Sequence, residues 1–340
     1  MKFGLINQTA LPPGKPEIAA LTEVIEQIVC AESLGYDEFW LTEHHFGEYG
    51  MSCLAPLLGY AAAKTQRIRL GACVWVTPLH HPVRLAEDVA ALDILSGGRI
   101  NFGAGRGYVT EEFEGFCVDI NDNKAIHEEI LDIVLSAWTE ERFSYQGRHW
   151  QIPPTTLHPK PLQKPYPPIY QPLITPGSIE EAVAKGRNAV FGPRFQNLDT
   201  VPRQMQLWRS ATARANKNLE AVVTLPVYVA ETDTEARHDL KEPLMWIKDK
   251  WVEQMEQMVD ANTGPRAEMK EKIGKMNFAE AYETCVTGSV DAVTAKLRWL
   301  EQNAGVGHVM CSMHFGSLPQ EKILRSMELF ARRVIPDWRS

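Results

Sequence analysis

A regular alternation of short apolar runs with helical segments constrains the fold of this 340-residue chain more than any other feature. Within the first 140 residues, strands are predicted at 2–6, 36–41, 68–76 and 99–103, and helices at 17–34, 54–63, 82–95 and 123–138. Strands that alternate with helices at this spacing are typical of a parallel sheet.

The same rhythm continues in the second half of the chain. Further strands are predicted at 168–174, 189–191, 222–229 and 306–313, and further helices at 179–185, 200–215, 289–303 and 319–334. Eight strands with eight helical returns predict a closed (β/α)8 TIM barrel. An open doubly wound sheet is the rival architecture, but the glycine-rich GxGxxG of its usual dinucleotide site does not follow the first strand.

Two segments exceed what a simple barrel needs. Residues 143–152 predict a short excursion on strands, and a proline-rich connector follows at 158–168. The segment at about 233–283, after the seventh predicted strand, is charged, methionine-rich and helical in pattern, so we interpret it as an insertion that could act as a lid. One barrel domain over 1–340 with this insertion is the predicted organisation.

The composition of the chain indicates which classes of ligand and which cellular compartment to expect. The chain is 44% hydrophobic and carries a formal net charge of −8 without a long run of lysine and arginine, which favours small-molecule ligands over nucleic acid. No basic and apolar leader and no run of ~18 apolar residues is evident, so a cytoplasmic protein without a membrane span is expected. The six cysteines form no CxxC pair, which favours a reducing compartment: Cys30, Cys53, Cys73, Cys117, Cys285 and Cys311.

Ionisable side chains follow three consecutive predicted strands. Glu43, His44 and His45 follow the second strand, and His80 and His81 follow the third. The carboxyl ends of barrel strands meet at one face, where barrel enzymes have their active sites. This clustering favours a ligand role for His44. His80 and His81 are interpreted as residues that organise the loop before the next helix.

A phosphate site is predicted after the fourth and fifth strands. Arg106 lies between two glycines just past the fourth strand, and arginine can bind a phosphate with two hydrogen bonds. The turn from Thr175 to Ser178 opens a helix, so its free N–H groups suit an anion. The apolar residues near the predicted mouth favour an organic substrate of moderate size: Phe46, Trp75, Tyr108 and Phe113.

Several separate motifs occur in the order in which one known family has them. They are Glu43-His-His-Phe46, Thr77-Pro-Leu-His-His-Pro-Val-Arg84, Gly97-Gly-Arg99, Phe102-Gly-Ala-Gly-Arg-Gly107, Thr287-Gly-Ser-Val-Asp291 and Ser326-Met-Glu-Leu-Phe330. Over nearly its whole length, the chain resembles the bacterial luciferase-like flavin-dependent oxidoreductases.

The resemblance implies a (β/α)8 barrel with an insertion after its seventh strand, and an FMN-dependent monooxygenase. Reduced FMN would be a diffusible substrate supplied by a separate flavin reductase, and it would activate dioxygen as a flavin C4a-peroxide to oxidise a small or medium organic substrate. A homodimer is also implied.

The resemblance assigns roles to particular residues. The catalytic histidine falls on His44, with Phe46, Trp75 and Phe113 expected around the substrate. Family flavin contacts fall on Glu43 near the ring and on Cys73 and Val74, where a non-proline cis peptide is often found. They also fall on the two parts of the phosphate site, which are Arg106 and the turn from Thr175 to Ser178. The cofactor-binding set is therefore Glu43, Cys73, Val74, Arg106, Tyr108, Thr175, Gly177 and Ser178.

Two departures from bacterial luciferase argue against light emission. Gly105 replaces a cysteine near the flavin, which predicts more room beside the ring, and Ile174 replaces a glutamate near the phosphate.

Three alternative functions stay open. They are a deazaflavin-dependent dehydrogenase of the same superfamily, a non-catalytic luciferase-type subunit, against which intact His44 and Arg106 argue, and a metal-dependent barrel hydrolase. The hydrolase would use Glu43, His45, His80 and His81.

Overall fold

A computed structural model describes residues 1–50, 54–259 and 262–339, so Cys53 lies outside the described residues. Eight parallel strands close into the predicted barrel, with the pairing of β8 and β9 completing the circle. The barrel strands are β1 Lys2–Asn7, β2 Glu38–Leu41, β3 Arg69–Val76, β4 Ile100–Gly105, β7 Ile169–Pro172, β8 Asn188–Phe191, β9 Ala221–Ala230 and β11 His308–Ser312.

Helices flank the barrel and bury their apolar faces against it. They are α1 Glu17–Leu34, α2 Leu54–Lys64, α3 Pro82–Leu95, α4 Thr110–Gly115, α5 Asn123–Thr139, α6 Pro176–Ala184, α7 Thr200–Arg214, α8 Asp233–Glu256, α9 Gly264–Gly274, α10 Phe278–Glu283, α11 Val290–Ala304 and α12 Gln320–Leu329. Short 3₁₀ turns span Thr77–Leu79 and Ile120–Asp122. A π-helical turn at Phe330–Val334 and a 3₁₀ turn at Ile335–Trp338 follow α12. No helix in the described ranges combines the length and the apolar character needed to cross a membrane.

Among the described residues, three strands lie outside the eight-stranded barrel. The antiparallel pair β5 Phe143–Gln146 and β6 Gln151–Thr155 forms the predicted strand excursion. The third strand, β10 Val286–Ser289, pairs in parallel with the second half of β9 and was not predicted. Its four residues are too short to show a strand periodicity, and β9 can accept it because β9, at ten residues, extends beyond its pairing with β11.

A single large side chain fills much of the barrel interior below the strand ends. Trp40 on β2 is fully buried, packs edge to face on Tyr170 of β7 and donates its indole N–H to Glu38 at 2.7 Å. Gly71 on β3 permits this packing, since a Cβ there would overlap the Trp40 ring. The interior is thus a packed core, and barrel enzymes of this kind have their active sites at the carboxyl-terminal face.

The segment predicted as an insertion forms α8, α9 and α10. The end of α8 is joined to the loop after β4. The amide of Thr110 donates to the carbonyl of Gln257 at 2.9 Å, and Val109 and Met258 form an isolated bridge. This brings α8 over the face where the β4 loop and the β2 loop emerge. Movement of the segment as a lid stays a prediction.

The pairing of β3 with β4 requires glycine at a specific position. A Cβ on Gly103 would overlap the carbonyl oxygen of Ala72, where the register shifts. We expect Gly103→Ala to lower the free energy of unfolding by roughly 1–3 kcal/mol, as overpacking does, and to lower the midpoint of thermal unfolding. Gly307→Ala is the control, since a Cβ there meets no atom within 4 Å. Equal midpoints for the two variants would contradict this prediction.

Candidate active site

Glu43, two residues beyond β2, is a buried carboxylate with three donors. Its Oε1 accepts from His80 Nε2 at 2.7 Å and from His45 Nε2 at 3.1 Å, and its Oε2 accepts from the Val76 amide at 2.6 Å. Burial alone would raise the pKa of Glu43, but the hydrogen bonds outweigh it and lower the pKa to about 2. The ionised carboxylate therefore ties the ends of β2 and β3 together.

His44 is held by a second carboxylate that the sequence analysis missed. Its Nδ1 lies 3.1 Å from Glu112 Oε1, and the same oxygen accepts from the His45 amide at 3.0 Å. Because a carboxylate can only accept, this contact requires the hydrogen of a neutral imidazole on Nδ1. Nε2 is then a lone-pair acceptor that no described residue engages. Glu112 lies on α4, which the sequence pattern did not predict.

Gln254 brings α8 into the same cluster. Its Nε2 lies 3.1 Å from His44 Nδ1, and its Oε1 accepts from the Tyr108 hydroxyl at 3.5 Å. An amide nitrogen only donates, so the Nδ1–H tautomer that Glu112 favours requires the amide group to be turned, with its oxygen toward the imidazole. A residue 210 positions away in the chain thus contacts the imidazole directly.

Four aromatic rings form a closed cycle, which we call the ring cycle, around this point. Successive ring centroids are 5.0 Å apart for His44 and Tyr49, 6.3 Å for Tyr49 and Trp251, 6.4 Å for Trp251 and Tyr108, and 6.4 Å for Tyr108 and His44. Aromatic pairs at such separations stabilise one another beyond the area they bury. The aromatic surroundings of His44 therefore come from three separate parts of the chain, and of these rings the sequence analysis named Tyr108.

The backbone at the end of β3 is irregular. The Cys73–Val74 peptide bond is cis, in the region where the resemblance implied one, and the pairing of β3 with β4 shifts register there. A Cβ on Gly105 would overlap the Val74 side chain. The expectation that Gly105 leaves extra room is therefore wrong, because Val74 occupies that space.

The two halves of the predicted phosphate site follow adjacent strands. Arg106 directly follows β4, which pairs with β7, and α6 begins shortly after β7. The helix starts at Pro176 rather than at the predicted residue 179, because Thr175 is its N-cap. The Thr175 hydroxyl accepts from the Ser178 amide at 3.2 Å, and Ser178 completes the capping box. Arg106, Thr175 and Gly177 are exposed to solvent.

The three aromatic residues predicted to line a substrate pocket occupy different environments. Phe46 is 62% exposed and packs on Phe116, 5.7 Å away. Trp75 is buried and meets His80 edge to face at 5.4 Å. Phe113 on α4 is buried close to Gly107. Contact of these residues with a substrate stays a prediction.

The four residues of the hydrolase alternative do not converge as a ligand set. His45 and His80 both direct Nε2 to Glu43, and His81 packs on Trp150 with a 4.9 Å centroid distance. Among the described residues, no group of three or more histidine, cysteine, aspartate or glutamate side chains has the arrangement of a metal site.

The lowered pKa of Glu43 has a consequence for stability. Since the folded-state pKa of about 2 lies below the ordinary 4.5, the ionised carboxylate stabilises the fold above about pH 5, and this contribution disappears as the pH falls toward 2. We expect Glu43→Gln to reduce the free energy of unfolding by about 3 kcal/mol at neutral pH, and by progressively less below pH 4. Urea unfolding at several pH values measures this difference.

A control separates this effect from the general loss of one negative charge. Glu114 is exposed on α4, so Glu114→Gln should leave the unfolding midpoint close to that of the unmodified protein at every pH. A difference between Glu43→Gln and the unmodified protein that did not change between pH 7 and pH 3 would refute the assignment.

Comparison with known proteins identifies the family. A family model described as luciferase-like monooxygenase matches residues 1–308. The oxygenase component of the flavin-dependent trigonelline monooxygenase of Acinetobacter baylyi is 31% identical over 244 residues, which cover 70% of this chain and 67% of that protein.

Solved structures agree. The crystal structure of monooxygenase RslO1 from Streptomyces bottropensis matches with a TM-score of 0.87 and 26% identity, covering 99% of this chain and 100% of that one. The oxygenating constituent of 3,6-diketocamphane monooxygenase from Pseudomonas putida, solved in complex with FMN, has a TM-score of 0.84 at 20% identity over 99% of this chain and 98% of its own, and so shares the fold. The chain therefore belongs to the luciferase-like monooxygenase family of oxidoreductase enzymes.

Proposed function

We propose that this protein is a flavin-dependent monooxygenase that takes reduced FMN from a separate reductase and uses dioxygen to oxidise a small or medium organic substrate. The observation that carries the proposal is the state of His44. Glu112 contacts Nδ1 of His44, and no described residue contacts its Nε2. His44 lies at the same face of the barrel as Arg106 and the start of α6. When bound, reduced FMN supplies the electrons that activate dioxygen.

The residues at the predicted phosphate site fit a phosphate dianion. Arg106 is exposed and forms no ion pair with any described residue. At the start of α6, Pro176 has no N–H, and the amides of Ser178 and Ile179 donate to Thr175. The amide of Gly177 is therefore the one in this turn that can donate to an anion. A Cβ on Gly177 would meet no atom within 4 Å, so an anion can approach its backbone.

His127 is a buried histidine whose pKa is affected by Arg106 of the predicted phosphate site. It is buried, it lies 2.6 Å from the Thr77 hydroxyl through Nδ1, and it lies 2.8 Å from the Gln171 amide through Nε2. Burial, with smaller contributions from the positive charges of Arg187 and Arg106, lowers its pKa to about 4 against an opposing effect of Glu128. A neutral His127 leaves Arg106 as the cation available to a phosphate.

His44 and Glu112 form a dyad suited to proton transfer. With its hydrogen on Nδ1, the imidazole accepts a proton at Nε2, and the Glu112 carboxylate stabilises the imidazolium that forms. We propose that His44 is the catalytic acid and base, and that Glu112 is its positioning residue. Tyr49 and Tyr108 pack edge to face on the imidazole, and the His44 side chain is 12% exposed.

Two partners belong to the proposal. The name of the Acinetobacter relative, an oxygenase component, supports a separate flavin reductase as the source of reduced FMN. A homodimer is proposed from the family resemblance, and sedimentation of the purified protein tests it directly.

The cofactor is tested by anaerobic titration with reduced FMN and with a reduced deazaflavin, followed by rapid mixing with oxygenated buffer. We expect reduced FMN to bind and to yield a transient flavin absorbance on mixing with oxygen. Binding of the deazaflavin alone, without such a transient, would instead establish the deazaflavin-dependent dehydrogenase. Absence of binding for both would favour the non-catalytic subunit.

If His44 and Glu112 act as proposed, substitution of each should slow product formation by a different amount. His44→Ala should reduce the rate of product formation by roughly 10²–10⁴-fold, the usual contribution of a general acid or base, with reduced FMN still bound. Glu112→Gln should reduce it less and shift the pH profile of the rate, because the imidazolium loses its carboxylate partner. Full oxygenation by His44→Ala with FMNH₂ supplied would exclude the assignment to His44.

Arg106 predicts a preference for the phosphate of FMN. The unmodified protein should bind reduced FMN more tightly than reduced riboflavin, and Arg106→Met should remove about tenfold or more of that preference. Arg142→Met, at an exposed arginine near the β5–β6 hairpin, is the control. An FMN preference that survives in Arg106→Met would exclude this contact.

A further inference from the structure

Arg194 carries a positive charge that the proposed function does not use. It follows β8 at the carboxyl-terminal face of the barrel, and its guanidinium lies over two members of the ring cycle. The guanidinium carbon is 4.9 Å from the centroid of Trp251 and 5.4 Å from that of Tyr49. Tyr49 in turn packs edge to face on His44. The guanidinium is therefore one aromatic ring away from the catalytic imidazole.

The charge of Arg194 has no acidic partner in the part of the chain that the structure describes. Aromatic faces attract a cation but accept none of its five N–H hydrogens well. Burial lowers the pKa of this guanidinium to about 10, so it stays positive at neutral pH in its half-buried position. A partly desolvated cation without a counter-ion is stabilised by a ligand that supplies the negative charge.

Two further donors beside Arg194 are also unsatisfied. The hydroxyl of Tyr49 and the indole N–H of Trp251 are buried and have no hydrogen-bond partner among the described residues. Buried polar groups are normally paired, and unpaired ones at a site mark groups that a ligand completes. Arg194, Tyr49 and Trp251 therefore contact one another, and each carries a donor group without a protein partner. Arg194 is the cation of the three.

The backbone beside Arg194 is also unusual. Phe195 has a φ of +52°, in the left-handed region that side chains other than glycine rarely adopt, and its ring is buried. Pro193 precedes Arg194 and restricts the backbone on the other side. The chain thus departs from ordinary geometry where it presents Arg194, which is characteristic of ligand-binding positions.

From these observations we propose that Arg194, with Tyr49 and Trp251, binds a carboxylate of the organic substrate. A planar carboxylate can accept two parallel hydrogen bonds from the guanidinium fork, and its remaining lone pairs suit the two neutral donors. Arg194 follows β8, whereas Arg106 follows β4, so the two cations belong to different loops of the face. This inference rests on the proposed function, because it takes the barrel face beside His44 as the substrate site.

The test compares carboxylates with their uncharged amides. Benzoate, nicotinate and hexanoate are titrated against benzamide, nicotinamide and hexanamide, with tryptophan fluorescence as the signal, in the presence of FMN. At least one carboxylate should bind about tenfold or more tightly than its amide, because the amide leaves the cation unpaired. Arg194→Met should abolish that difference, and Trp251→Phe should weaken it.

Two controls test whether the carboxylate preference depends on Arg194 and whether flavin binding is independent of it. Arg203→Met removes an exposed arginine of α7 and should keep the carboxylate preference. The affinity of Arg194→Met for reduced FMN should equal that of the unmodified protein. Absence of a carboxylate preference in all three pairs, its survival in Arg194→Met, or a loss of flavin affinity in that variant would each overturn the proposal. Because none of these titrations requires oxygenation, they stand apart from the tests of the monooxygenase itself.

Discussion

The buried carboxylate of Glu43 is the constraint on which the rest of the site depends. It accepts hydrogen bonds from His45 in the loop after β2 and from His80 in the loop after β3. It also accepts one from the amide of Val76, the last residue of β3. His44 follows Glu43 directly, so fixing the carboxylate also fixes the backbone that carries the imidazole. The two histidines that might have bound a metal are engaged in this structural role instead.

Each loop at this face has a different chemical character. The loop after β4 carries an exposed arginine, and the start of α6 offers the exposed amide of Gly177, which together suit a phosphate. The loop after β8 places a partly buried arginine against aromatic rings, which suits an anion on an otherwise apolar molecule. A barrel allows this division, because its loops vary independently while the strands keep them at one face.

The helix α8 is part of the site. Trp251 closes the ring cycle, and Gln254 contacts His44 Nδ1. Any displacement of α8 would therefore open the ring cycle and release one neighbour of the imidazole.

The sequence by itself determined the barrel, the position of the added helices and the residues at the strand ends. These features are local, since the alternation of apolar residues, the caps of helices and the punctuation of strands are all written within a few positions. It also brought Arg106 and Thr175 to neighbouring strands, because chain order and parallel pairing follow from the same alternation.

Only the tertiary structure decided which groups surround His44. Glu112, Trp251 and Gln254 lie 68 to 210 positions away along the chain. Arg194 and Tyr49 come from two different loops, and both contact Trp251 of α8. Such contacts leave no periodic trace in a single sequence. β10 and the room taken by Val74 escaped prediction for the same reason, because both result from the packing of strands against one another.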